Sequence, residues 1–322
     1  MHGSLLLLLL TAAAGMALSL SSSSDAQPSG GAASPRPRAL RDLEYDRAGE
    51  RKLLLDLYLP AEEPNEPLPV IVWFHGGGWR NGDKGLCRLA GYASRGYAVA
   101  SVGYRLSQEA VFPAQIHDCK SAVRWLRANA EKYRLDPERI GVAGSSAGGH
   151  LAALLGTSGG VKELEGEGAN LEQSSRVQAV CNYWGPTDLL SVGKDSGEGP
   201  RGKLEEVVVA LLGGPIEENR EKAAQASPVT HVSKDDPPFL TVQGGSDPIV
   251  PVSQVEVLHE ALTKAGVEST LEVVKGAGHS FDHPEIEKKV EAFFDRHLKK
   301  PVEEEISPRR SRRTRRRTEA GA

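Results

Sequence analysis

The chain has 322 residues, of which 39% are apolar and 25% charged, with a formal net charge of −4. That length suits a single α/β domain with tails, and the balance is ordinary for a soluble globular chain. No basic surface is implied across the body, which sets specific nucleic-acid binding aside.

The first segment, residues 1–24, runs through six consecutive leucines (Leu5 to Leu10) into small residues and a polar exit. This is the build of a cleaved signal peptide and implies a secreted or periplasmic protein. Its positive end is thin, only the amino terminus and His2, so a retained membrane anchor or a mis-assigned start is the alternative. Residues 25–40, rich in Ser, Gly, Pro and Ala, read as a disordered linker before a catalytic-sized domain at 41–300.

Within that domain strand and helix alternate. "LLLDLYLP" (53–60) alternates apolar and polar, and "PVIVWFH" (69–75) is a continuous apolar run, as a strand buried on both faces requires. Further strands are expected at 97–104, 139–145, 177–185, 237–245 and 270–278. Residues 114–132 form an amphipathic helix, with Ile116, Cys119, Val123, Leu126 and Ala130 on one face and Lys120, Arg124 and Arg127 on the other. Helices are also expected at 251–266 and 284–299. The pattern predicts an α/β fold: a mainly parallel central sheet flanked by helices on both sides. Residues 156–175 and 186–234 fit the alternation poorly. With "KLEEVVVALLGG" as a helical island, they are expected to form a small partial cap over a site at the carboxyl ends of the strands.

Cys87, Cys119 and Cys181 lack metal-ligand spacing, and an odd count permits at most one bridge; buried free thiols are expected. Residues 301–322 form a disordered tail with seven arginines in nine positions, 309–317. It is either a solvated tail or a contact for an anionic polymer or surface.

The pattern G-x-S-x-G occurs twice, at Gly144–Gly148 and at Gly156–Gly160, so the pentapeptide alone is weak evidence. A nucleophile elbow needs a strand, a sharp turn carrying the serine, and a helix, with small flanking residues so that strand and helix pass closely. Ser146 meets every requirement. Ser158 follows a helix and enters a charged loop, as a helix-terminating turn does, and Ser145 would end the strand beside the nucleophile. A serine needs a base held by a carboxylate, and on this kind of sheet these follow later strands in the order acid, base. "GGSDPIVP" supplies Asp247 and "GAGHSF" supplies His279. His279 and His283 have H-x-x-x-H spacing but no third ligand nearby, so neither metal nor cofactor is expected. The glycines of "FHGGGWRNGD" let backbone N–H groups converge. Gly77, Gly78 and Ala147 are therefore the candidate oxyanion donors. Trp79, Tyr104, Trp184 and Phe281 are candidate pocket residues, each with plain core packing as the alternative.

Taken together, "HGGGW" (75–79), "YRLS" (104–107), "FPAQIHD" (112–118), "GSSAGGH" (144–150), "GPTDL" (185–189), "GGSDPIVP" (244–251) and "GAGHSF" (276–281) resemble α/β-hydrolase carboxylesterases of the hormone-sensitive-lipase-like group. The nearest branch is the secreted bacterial acetyl-xylan and feruloyl esterases. The resemblance implies a Ser146, Asp247, His279 triad and an "HGGGW" oxyanion loop. It also implies hydrolysis of short-chain acyl esters, with acetyl or feruloyl groups on plant polysaccharide among the substrates. Gly244 departs from the pattern, standing where many relatives carry a histidine. The alternatives are a prolyl-oligopeptidase-like peptidase, whose propeller has no room before residue 41, and a non-catalytic binding protein of the same fold.

Overall fold

The computed structural model describes residues 36–192 and 200–300; the leader, most of the linker and the arginine tail lie outside the described residues. The strands are β1 (Arg38–Ala48), β2 (Arg51–Leu59), β3 (Leu68–Phe74), β4 (Ala98–Val102), β5 (Leu135–Ser145), β6 (Ala179–Tyr183), β7 (Phe239–Gly244) and β8 (Ser269–Val274). They form one sheet in the order β1-β2-β4-β3-β5-β6-β7-β8. β2 runs antiparallel to both β1 and β4, and every other pair is parallel. The helices are α1 (Ala114–Ala128), α2 (Ala130–Tyr133), α3 (Ala147–Thr157), α4 (Pro200–Leu212), α5 (Arg220–Gln225), α6 (Val252–Ala265) and α7 (Pro284–Leu298).

The continuous apolar runs follow from helices on both faces of the sheet. β3, β4, β6 and β7 are buried at every position, as parallel strands covered twice must be. Successive side chains alternate between faces. Val70, Val72 and Phe74 of β3 join a core with Ile116, Val123, Leu151, Leu155 and Leu258 from α1, α3 and α6. Ile71 and Trp73 join another with Ile286, Val290 and Phe294 from α7.

Two sequence expectations change. β1 begins at Arg38, inside the stretch read as linker, and its pairing with β2 is interrupted between Leu40 and Leu43 and between Glu44 and Asp46. Those irregularities break the period of two by which a strand is recognised. The polar face of α1 is also not left to water. Lys120 and Arg124 are buried beneath residues 158–176, where Lys120 Nζ lies 2.7 Å from Glu165 Oε1 and Arg124 Nη1 3.0 Å from Glu165 Oε2. Arg127 donates to the Pro137 and Arg176 carbonyls at 2.9 and 2.6 Å. Of the two irregular stretches, residues 156–175 are thus engaged with α1 through these charges, and only the second contributes, through Pro186 and α4, to the cavity described next.

Parallel strands place their carboxyl ends at one end of the sheet, and the loops leaving them converge there. Those loops follow β3, β5, β6, β7 and β8.

Candidate active site

β5 ends at Ser145 and α3 starts at Ala147, leaving Ser146 alone at the junction with φ 54° and ψ −119°. Such a conformation is costly for a residue with a Cβ and persists only where its surroundings overdetermine it. Here they do. A Cβ on Gly144 would lie 2.2 Å from the Gly148 carbonyl oxygen, and one on Gly148 would lie 2.0 Å from that of Phe74. Strand and helix therefore touch through bare backbone. The Ser146 N–H donates to the Tyr183 carbonyl at 2.8 Å, tying the turn to the end of β6.

His279, on the loop after β8, lies with Nε2 2.9 Å from Ser146 Oγ and Nδ1 2.8 Å from Asp247 Oδ2. Asp247 is on the loop after β7 and its side chain is fully buried, whereas that of His279 is 20% exposed. Its Oδ1 accepts the Ile249 and Val250 N–H groups at 2.8 and 3.0 Å, and Oδ2 also accepts Gln243 Nε2 at 3.0 Å. A carboxylate facing Nδ1 requires the tautomer with the proton there, which leaves the Nε2 lone pair for the serine hydroxyl.

The loop after β3 crosses in front of the serine. A Cβ on Gly76 would lie 3.4 Å from Ser146 Cβ, and Gly77, Gly78 and Trp79 all have positive φ, at 115°, 62° and 55°. A tight turn holds it, with the Arg80 and Asn81 N–H groups donating to the Gly77 carbonyl at 3.1 and 3.0 Å. Gly77, Gly78 and Ala147 line the same cavity as Ser146 and His279. That cavity has a volume of about 410 Å³, a size suited to a small-molecule ligand. Trp79, Trp184, Leu204, Val207 and Ile249 supply apolar walls, and Asn81, Ser145, Lys203 and Ser280 polar ones.

With this geometry in hand, comparison with known proteins identifies the group. Residues 55–262 match the BD-FAE family. The chain belongs to that family. Among curated proteins it is similar to Esterase LipC of Mycobacterium tuberculosis, with 34% identity covering 71% of this chain and 57% of LipC. The chain spans little more than half the length of the first curated relatives it matches. Among solved structures it is similar to a truncated carbohydrate esterase from gut microbiota, at 31% identity and a TM-score of 0.72, covering 84% of this chain and all of that one. It is also similar to Thermogutta terrifontis esterase 2 phosphonylated by sarin, at 27% identity and a TM-score of 0.66, covering 81% and 93%. The fold is that of the α/β-hydrolases, and the hormone-sensitive-lipase-like kinship read from the motifs holds.

Within this BD-FAE chain two of the candidate pocket residues lie elsewhere. Tyr104 is buried behind the glycine loop, stacked on His75 with ring centres 4.3 Å apart and donating to the His75 carbonyl at 2.8 Å. The apolar surroundings that bury it also lower the His75 pKa. Phe281 packs against the Trp184 ring, 5.0 Å between centres, and is not among the cavity walls. Both aromatics shape the wall from behind.

Gly244 ends β7 where the strand meets the His279 loop. A Cβ there would lie 2.1 Å from the Gly278 carbonyl oxygen, so β7 and the His279 loop meet where only glycine fits. Asp247 is further supported by Gln243, which also donates to the Val250 carbonyl at 2.8 Å. Its signal was present in "FLTVQGG": an amide in an otherwise apolar buried strand needs partners. His150, one turn into α3, was likewise passed over. It is fully buried, donates through Nε2 to the Ala226 carbonyl at 2.7 Å and stands edge-on to Trp79 at 5.0 Å. Burial holds its pKa down at about 4, so it is neutral. All three cysteines are free thiols, Cys119 and Cys181 buried and Cys87 partly so.

Proposed function

We propose that this chain is a serine carboxylic-ester hydrolase acting on short-chain acyl esters, with acetyl or feruloyl groups on plant polysaccharide as its substrate class. The observation that carries the reading is the continuous hydrogen-bond chain from Ser146 Oγ through His279 to Asp247, at 2.9 and 2.8 Å, opening into a cavity walled by the glycine loop.

In this scheme His279 Nε2 takes the Ser146 proton as Oγ attacks the ester carbonyl. Asp247 holds the tautomer and stabilises the imidazolium. The N–H groups of Gly77, Gly78 and Ala147 receive the developing oxyanion, the last with the partial positive charge of the α3 N-terminus behind it. The imidazolium then protonates the leaving alcohol. Water, deprotonated by the same histidine, releases the acid and restores the serine.

Support for the substrate class comes from the gut carbohydrate esterase among the solved relatives, and for the nucleophile from the sarin-phosphonylated relative. The deciding experiment pairs Ser146→Ala with a substrate panel. The variant should lose p-nitrophenyl acetate hydrolysis by about 10⁶-fold and resist organophosphate labelling while retaining its circular dichroism. Retained turnover refutes the mechanism. Cleavage of prolyl anilides in preference to acetyl-xylan, feruloyl and short acyl esters refutes the substrate class.

A further inference from the structure

We propose that Arg88 is a positioning residue for the base, holding the His279 loop against the wall of the site. The inference rests on the function proposed above and adds a residue outside the triad and the oxyanion loop.

Arg88 lies in the stretch after the glycine loop, and the Trp73 indole N–H fixes that stretch by donating to the Leu86 carbonyl at 2.7 Å. From there its guanidinium reaches across the face of the sheet that α7 covers. It sits 5.4 Å from the Tyr183 ring centre and 5.7 Å from that of Trp184, the range in which a cation is drawn to an aromatic face. Nη2 donates to the Phe281 carbonyl at 3.2 Å and to Glu287 Oε1 at 2.7 Å, with Asp282 Oδ1 at 2.8 Å.

The singular feature is what else holds this loop. Residues 278–282 form neither helix nor strand. Among the described residues, the bond from Arg88 to the Phe281 carbonyl is the only hydrogen bond made to their main chain. The preceding turn is fixed by Ser246 N–H to the Ala277 carbonyl at 2.9 Å, and the following helix begins at Pro284. The imidazole therefore hangs on a span anchored at its ends and at one interior point. That point belongs to Arg88, two residues from His279. The same guanidinium supports Trp184, whose ring meets that of His279 edge-on at 6.5 Å and that of Phe281 at 5.0 Å. One cation thus braces the main chain beside the base and the aromatic wall against which the base rests.

Geometry of this kind matters because displacing a reacting group by about 1 Å can cost about 100-fold in rate. The test compares Arg88→Met, which keeps an apolar stem beneath the rings, with Arg88→Ala assayed with and without added guanidinium. Each is followed by steady-state kinetics and by the downfield proton resonance of the His279 Nδ1–H held by Asp247. In folded Arg88→Met, kcat should fall by about 10- to 100-fold with KM changed less than about two-fold, and the resonance should broaden or shift. Guanidinium should restore both readouts in Arg88→Ala. An unchanged resonance in the folded variants overturns the proposal, whether or not kcat falls, because Arg88 would then not be what positions the imidazole. The resonance is independent of turnover. Absence of esterase activity in the parent protein would therefore count against the proposed function and leave this test decisive.

Discussion

Asp247→Asn removes one charge from the proposed triad and changes almost no volume, so its consequence can be worked from the contacts on the carboxylate. Oδ1 accepts two backbone N–H groups and Oδ2 accepts from His279 and Gln243. An amide has one oxygen, and it can be placed two ways. With its NH2 toward Ile249 and Val250, two backbone N–H donors lose their acceptor, at about 1–3 kcal/mol for the buried one at Val250. With the oxygen kept there, the NH2 faces His279 and Gln243. The imidazole can then answer by moving its proton to Nε2 and accepting at Nδ1. The second arrangement satisfies more groups and is the one expected. Its price is the base, because Nε2 then donates to Ser146 and cannot take the serine proton. A wrong tautomer in an otherwise intact triad costs about 10⁴-fold in kcat, about 5 kcal/mol of transition-state stabilisation. The assay is kcat/KM on p-nitrophenyl acetate beside a thermal melt. Activity within about ten-fold of the parent enzyme, for a loss predicted at about 10⁴, would show that the acid does not set the tautomer and refute the reasoning.

Two further outcomes follow from the burial of ionisable groups. His150 has an ordinary pKa of 6.5 and is held at about 4 in the fold. The unfolded chain therefore takes up a proton first as pH falls through 6.5. This group's contribution to stability is complete above 6.5 and is lost progressively toward pH 4, by about 3 kcal/mol in all. Denaturant titrations across that range should show His150→Gln, which keeps a donor for the Ala226 carbonyl, with a flatter profile, and an equally steep one would refute the assignment. Glu165→Gln leaves Lys120 and Arg124 buried without their counter-charge and should cost about 3 kcal/mol in denaturant unfolding, with kcat unchanged; a loss below about 1 kcal/mol would mean that the cluster behaves as an exposed pair.

The legible parts of the chain are those where one local constraint acts alone. A strand buried on both faces has to be apolar throughout, so β3 and β7 announce themselves. Ser146 was separable from Ser158 because an elbow demands a strand before it and a helix after it, and Asp247 and His279 could be sought only at the ends of later strands. Other features depend on what a segment meets in three dimensions. β1 pairs through irregular register, so its apolar residues keep no fixed period. The lysine and arginines of α1 look like a solvated stripe until Glu165 arrives from about forty residues downstream to bury two of them. Tyr104 stands within a site motif, yet its role is to back His75, which no spacing rule could reveal.

The three members of the proposed triad are held with unequal force, and the difference follows from the elements beneath them. Ser146 is fixed by steric exclusion, since the backbone of β3, β5 and α3 leaves no room for the turn to relax. Asp247 is fixed by hydrogen bonds to two main-chain donors and a buried amide, all within seven residues of β7's end. His279 has no such frame of its own. Its ring is held by the two partners it must serve, and its main chain lies on a span that carries, among the described residues, a single interior hydrogen bond. With so little local framing, its loop is the part of the proposed triad most dependent on distant support. A substitution that leaves the catalytic side chains intact should therefore act first through His279, and through the contacts of Arg88, Trp184 and Gln243 that bound its motion.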